Sequence, residues 1–78
     1  MKSEIKVIFT KHANQKLLHR RINRNLVVKT VYNPTTLVIE GNKYHVYRKF
    51  GRLYLKVIFI RLGKVALVVT QYFVKKLS

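Results

Sequence analysis

Three histidines, His12, His19 and His45, are the only side chains of this 78-residue sequence whose ordinary pKa lies near neutrality. Two of them share a segment with cations. His12, Lys16 and His19 fall at i, i+4 and i+7, and Arg20 follows one step round. On a helix these positions lie on one face, away from Leu17 and Leu18. They form a basic stripe with two imidazoles, a set that can move a proton and hold a phosphate. The plain alternative is a solvated helix face without chemistry. His45 alternates with Tyr44 and Val46 and reads as a cross-strand packing partner.

Lys56 lies within the apolar stretch Leu53–Ile60. Burying an unpaired ammonium there is costly, so the residue either opens on a cleft or meets an anion. An edge strand with Lys56 in water is the simpler arrangement. Thr70 is either an ordinary β-branched strand residue or a hydroxyl directed at a ligand. Tyr54 and Tyr72 could stack bases or serve as core aromatics with wet hydroxyls, and Tyr72 lies on the same strand face as Thr70. Arg48, Lys49 and Arg52 gather around Gly51 beside Tyr47, a basic turn with aromatic interleaving suited to tracking a phosphate backbone.

The whole chain shares this bias. Seventeen Lys and Arg stand against two acids, Glu4 and Glu40, for a net charge of +15. Over a folded surface of roughly 5,000 Å² that is about one uncompensated charge per 330 Å². A compact state so charged is best understood with a polyanion as partner. Nucleic acid comes first, an acidic protein second and an anionic membrane surface third. No cysteine is present, which excludes disulfide scaffolds and thiolate zinc sites. Two carboxylates argue against divalent-metal catalysis, and no glycine-rich phosphate loop or Ser/His/Asp arrangement can be assembled, so no metal or cofactor is expected. The longest apolar runs, Val57–Ile60 and Val65–Val69, are too short to span a bilayer. Lys2, Glu4 and Lys6 interrupt any signal-peptide pattern, so a soluble, cytoplasmic protein is expected.

The elements that must position these residues follow from hydrophobic periodicity. Thirty of 78 residues are Ile, Leu, Val or Phe, enough for one folded domain over residues 1–78. Ile5–Phe9 reads as a strand. Thr10 is a good N-cap for a helix over Lys11–Arg21 with Ala13, Leu17 and Leu18 as its apolar stripe. Asn23 caps a second helix over Arg24–Tyr32, with Leu26, Val27, Val28 and Val31 on one side, and Asn33-Pro34 stops it. The period then changes to 2. Leu37–Glu40 and Lys43–Phe50 flank the hairpin signal Gly41-Asn42, Gly51 allows a bend or bulge, and Leu53–Arg61 leads through Leu62-Gly63-Lys64 into Val65–Val74. A three-residue loop there places Lys56 opposite Thr70 and Tyr54 opposite Tyr72. It also puts Leu53, Leu55, Val57, Phe59, Val65, Leu67 and Val69 on the helix-facing side. The expected fold is α+β in the order β-α-α-β-β-β-β, with two helices on one face of a mostly antiparallel twisted sheet.

Lys11-His12-Ala13, then Lys16, Arg20-Arg21-Ile22, Asn33-Pro34 and Val69-Thr70-Gln71-Tyr72 occur in an order and spacing that resembles small uncharacterised proteins grouped with the RelE/ParE-like toxins. These belong to the wider barnase–EndoU–colicin–RelE assemblage of ribonuclease folds. The resemblance covers nearly the whole chain, although no single motif is specific. It implies a metal-independent endoribonuclease whose RNA is free or ribosome-associated, often a toxin held by an acidic antitoxin protein. The matching positions are His12, Arg20, Lys56 and Thr70. Lys16 stands where such proteins commonly carry arginine, which keeps charge but loses bidentate phosphate geometry. His19 stands where an ordinary surface residue is usual.

Metal-free RNA cleavage needs a base for the 2′-hydroxyl, an acid for the leaving 5′-oxygen and fixed cations for the charged transition state. On this reading His12 is the acid or base and Arg20 and Lys56 stabilise the phosphate. Thr70 and Tyr72 orient the phosphate or a base, while Lys16, His19, Arg21, Arg48, Lys49, Arg52 and Tyr54 hold the rest of the strand. Two alternatives use the same basic face: a non-catalytic RNA- or DNA-binding module, and a ParE-like toxin acting on a protein target.

Overall fold

A computed structural model describes residues 5–75, so the reading of Lys2 and Glu4 lies outside it. The elements are β1 (Lys6–Phe9), α1 (Lys11–His19), α2 (Arg24–Tyr32), β2 (Thr36–Glu40), β3 (Lys43–Phe50), β4 (Leu53–Leu62) and β5 (Val65–Val74). The expected α+β order is the one found. The five strands form one open mixed sheet in the order β1-β5-β4-β3-β2, with β1 parallel to β5 and the other pairs antiparallel.

Capping decides where the helices begin and end. The Thr10 hydroxyl accepts from the Ala13 N–H at 3.0 Å, and Asn23 accepts from the Asn25 N–H at 2.7 Å. The first helix stops at His19 rather than continuing to Arg21. Arg21 takes a left-handed φ of +52°, its N–H donates to the Leu18 carbonyl, and the Ile22 N–H donates back to Leu17. This is a Schellman turn, and it folds Ile22 onto Leu17, where both are buried. Leu18, expected in the apolar stripe, is 83 % exposed. At one position past Leu17 it is rotated off the buried face, and Ile22 fills that role.

Both helices lie on the same side of the sheet. Ala13, Leu17, Ile22, Val27 and Val31 meet Val46, Leu55, Val57, Phe59, Ala66 and Val68 in a single core. Thr30 is also buried there, its hydroxyl donating to the Leu26 carbonyl at 2.8 Å.

Each hairpin closes with two residues, and a glycine comes first in every loop: Gly41-Asn42, Gly51-Arg52 and Gly63-Lys64, with φ of +65°, +60° and +59°. Gly51 therefore makes a tight turn instead of a bulge. The last loop is one residue shorter than expected, so Leu62 pairs with Val65. A β-bulge then inserts Val69 between the pairs Phe59–Val68 and Ile58–Thr70. Lys56 consequently faces Tyr72 rather than Thr70, and Tyr54 faces Val74 rather than Tyr72.

The shortened loop also inverts the first half of β5. Ala66 and Val68 enter the core, while Val65, Leu67 and Val69 are only half-buried. Beyond the bulge the parity is restored, Gln71 turns to the helices, and Thr70 and Tyr72 share the helix-free face with Lys56.

Candidate nucleic-acid interface

Register aligns one row across the sheet: Thr36 on β2, Tyr47 on β3, Lys56 on β4 and Tyr72 on β5. These side chains share the face without helices, because positions directly opposite across strands point the same way. The Lys56 ammonium stands 5.5 Å from the Tyr47 ring centre and 5.7 Å from that of Tyr72. Burial acts to lower the Lys56 pKa. Interaction with the phenol oxygens of Tyr47 and then Tyr72 outweighs it, and the net displacement is upward. Lys56 is therefore a fixed cation at neutral pH and not a base.

A second cation reaches the same tyrosine from α1. Because β1 pairs only with Val65–Val68, the outer edge of β5 is open beyond that point. Arg20, placed at the α1 terminus by the Schellman turn, covers this edge. Its Nη1 donates to the Gln71 carbonyl at 2.9 Å and to the Thr70 hydroxyl at 3.2 Å. Its guanidinium carbon lies 5.5 Å from the Tyr72 ring centre. The Tyr72 ring thus sits beside both cations. Two fixed positive charges and the hydroxyls of Thr70, Tyr72 and Tyr47 converge on one patch. Among the described residues the remaining guanidinium N–H groups of Arg20 have no hydrogen-bond partner, which suits them to meet an anion. The buried amide of Gln71 braces the arrangement from behind by donating to the Ala13 carbonyl at 3.0 Å.

Four of the five residues expected to act together, Arg20, Lys56, Thr70 and Tyr72, are brought together. His12 stands apart. It is exposed on the first turn of α1, two turns before Arg20 and about 12 Å away along the helix axis. Lys16, half-buried, lies between them on the same stripe; His19 and Arg21 are exposed at the end of α1. Lys49, paired with Tyr54, extends the open face toward the exposed Arg52 turn. Arg48 is directed elsewhere. On the helix side it donates to the Asn33 carbonyl at 2.7 Å and lies over Phe50, tying the end of α2 to β3. His45 lies 3.2 Å from the Glu40 carboxylate, diagonally across β2 and β3.

Tyr47 is the member that sequence reasoning placed only among the aromatics of the turn. A two-residue turn at Gly51-Arg52 would have put it directly opposite Lys56. Among the described residues no three His, Asp or Glu side chains gather as a metal site, and no helix is long and apolar enough to cross a membrane. The chain matches no protein-family model, no curated protein and no solved structure.

Proposed function

We propose that this protein binds RNA across the open sheet face and the outer side of α1, seating one backbone phosphate between Arg20 and Lys56. The observation that carries the reading is the convergence of both cations on Tyr72, with the Thr70 hydroxyl alongside, in a chain of net charge +15. Phosphate contacts supply affinity, and Tyr72 and Tyr54 offer ring faces on which unpaired bases stack, which favours single-stranded RNA.

The same patch is equipped for cleavage without a metal. Attack of a 2′-hydroxyl on the adjacent phosphorus forms a 2′,3′-cyclic phosphate and expels the 5′-oxygen. The charge that builds on the phosphate oxygens is what two preorganised cations stabilise. His12 stands about 12 Å from Arg20 along α1, beyond hydrogen-bond reach of a phosphate held between Arg20 and Lys56. The acid–base role expected of it would therefore require the reacting hydroxyl to lie further along the Lys16 stripe. This reading keeps the resemblance to RelE-like endoribonucleases as its family expectation, with an acidic antitoxin covering the basic face.

Incubation with a labelled RNA in excess EDTA tests both levels. Fragments ending in 2′,3′-cyclic phosphate, lost in Lys56→Ala and His12→Ala, would establish the enzyme. Intact RNA that still shifts in a gel, with affinity falling steeply as salt rises, would leave a binding module. RNA that neither shifts nor breaks would refute the proposal.

A further inference from the structure

Three stretches of strand edge lie open among the described residues, and two are guarded. β1 is four residues long and opens with a lysine, and the free part of β5 is covered by Arg20. β2 carries no such guard. Leu37, Val38 and Ile39 are 48 %, 43 % and 52 % exposed, apolar side chains on both faces of an outermost strand. With β3 on one side only, alternate N–H and C=O groups of β2 point outward without a strand to meet. The charge distribution is uneven in the same place. Residues 30–42 contain no lysine or arginine, the longest cation-free stretch of the chain, and they include Glu40.

From this we infer that β2 pairs antiparallel with β2 of a second copy, joining two five-stranded sheets into one. A +15 chain repels its own copies everywhere else, and this edge is where the repulsion is least. Only the register centred on Val38 pairs all five residues of Thr36–Glu40. It sets Val38 against Val38, Leu37 against Ile39, and Thr36 against Glu40 of the second copy. The two-fold axis then runs between the two opposed Val38 residues, normal to the sheet, so both helix-free faces, each with its Arg20–Lys56 cluster, lie on one side. Five paired residues fall short of the roughly 1,200 Å² of a stable interface, so the dimer is weak and concentration-dependent. The inference does not rest on RNA binding.

Sedimentation of the purified protein between about 10 µM and 1 mM reads the association. The mass should climb toward the dimer, and added salt should strengthen it by screening repulsion between copies, opposite in sign to its effect on a polyanion complex. Val38→Lys should weaken self-association at least about tenfold, whereas Leu18→Lys, the same change on the exposed side of α1, should not. Because the chain has no cysteine, single-cysteine variants give a second measurement that leaves the fold intact. Directly opposed residues have Cα atoms about 4.5–5.5 Å apart, within disulfide range. Val38→Cys should therefore oxidise to a covalent dimer about tenfold faster than Leu37→Cys or Leu18→Cys. A mass that stays monomeric throughout, equal weakening by Leu18→Lys, or equal oxidation rates would overturn the inference.

Discussion

Replacing Lys56 with methionine isolates the charge at the centre of the cluster. Methionine retains an unbranched stem between Tyr47 and Tyr72 and removes only the ammonium. A phosphate about 4 Å from an ammonium gains roughly 1 kcal/mol in bulk water and about 4 kcal/mol at an effective dielectric of 20. Lys56 is half-buried, which places it in the lower part of that range, at about 1–2 kcal/mol. RNA affinity should accordingly fall about 5- to 30-fold at moderate salt. The slope of log affinity against log salt should lose about 0.7, the contribution of one phosphate contact on a single strand. Fluorescence anisotropy with a labelled single-stranded RNA over a salt series measures both quantities. Lys64→Met, in the exposed β4–β5 turn, is the control for bulk charge. Equal losses in the two variants would mean that the cluster is no more than part of a diffuse positive surface. The pH dependence has a definite sign. A lysine pKa raised above 10.5 makes a stabilising contribution that is complete below the ordinary value and lost as pH rises through the folded-state value. The cluster's part in RNA affinity should therefore be flat across neutral pH and decline only in strong alkali.

The remaining predictions concern the supports of the site. Arg21→Gly should stabilise the fold by about 0.5–1 kcal/mol, raising the melting temperature by a few degrees, because it relieves a left-handed backbone at φ +52°; a lower melting temperature would mean that the arginine side chain has an unrecognised structural contact. Thr10→Ala should cost about 1 kcal/mol in denaturant unfolding by leaving the Ala13 N–H without its cap. Deleting Val69 should change stability by no more than about 1 kcal/mol, since it removes only the bulged residue: Val68 and Thr70 then alternate as ordinary neighbours, and Gln71 and Tyr72 keep their faces and partners. A deletion variant that loses several kcal/mol in denaturant unfolding would show that Val69 does more than fill the bulge.

Much of the architecture was legible in residue order. Thr10, Asn23 and Pro34 mark helix boundaries through local hydrogen bonding and a missing N–H, which act within a few residues and need no tertiary partner. The alternating run after Pro34 and Gly41-Asn42 announced a sheet, because a two-residue turn with positive φ is a local requirement that glycine meets. Lys56 could be singled out in advance because an ammonium among apolar strand residues needs a partner, and Tyr72 because it shares a strand face with Thr70. Arg20 and Thr70, by contrast, enter through the family resemblance.

Assembly of those residues was decided by tertiary structure. Whether Lys56 faces Thr70 or Tyr72 depends on one residue of loop length and one bulge residue, and each shifts register by a single step. Both serve the core, which takes in Ala66 and Val68 and then needs Gln71 against Ala13. Likewise, nothing local announces that Arg20 covers the edge of β5. That follows from β1 being too short to pair beyond Val68, and from a Schellman turn that aims the arginine at the exposed carbonyl of Gln71. Local chemistry determined the elements and their charge; the packing of five strands under two helices selected which of those charges stand together.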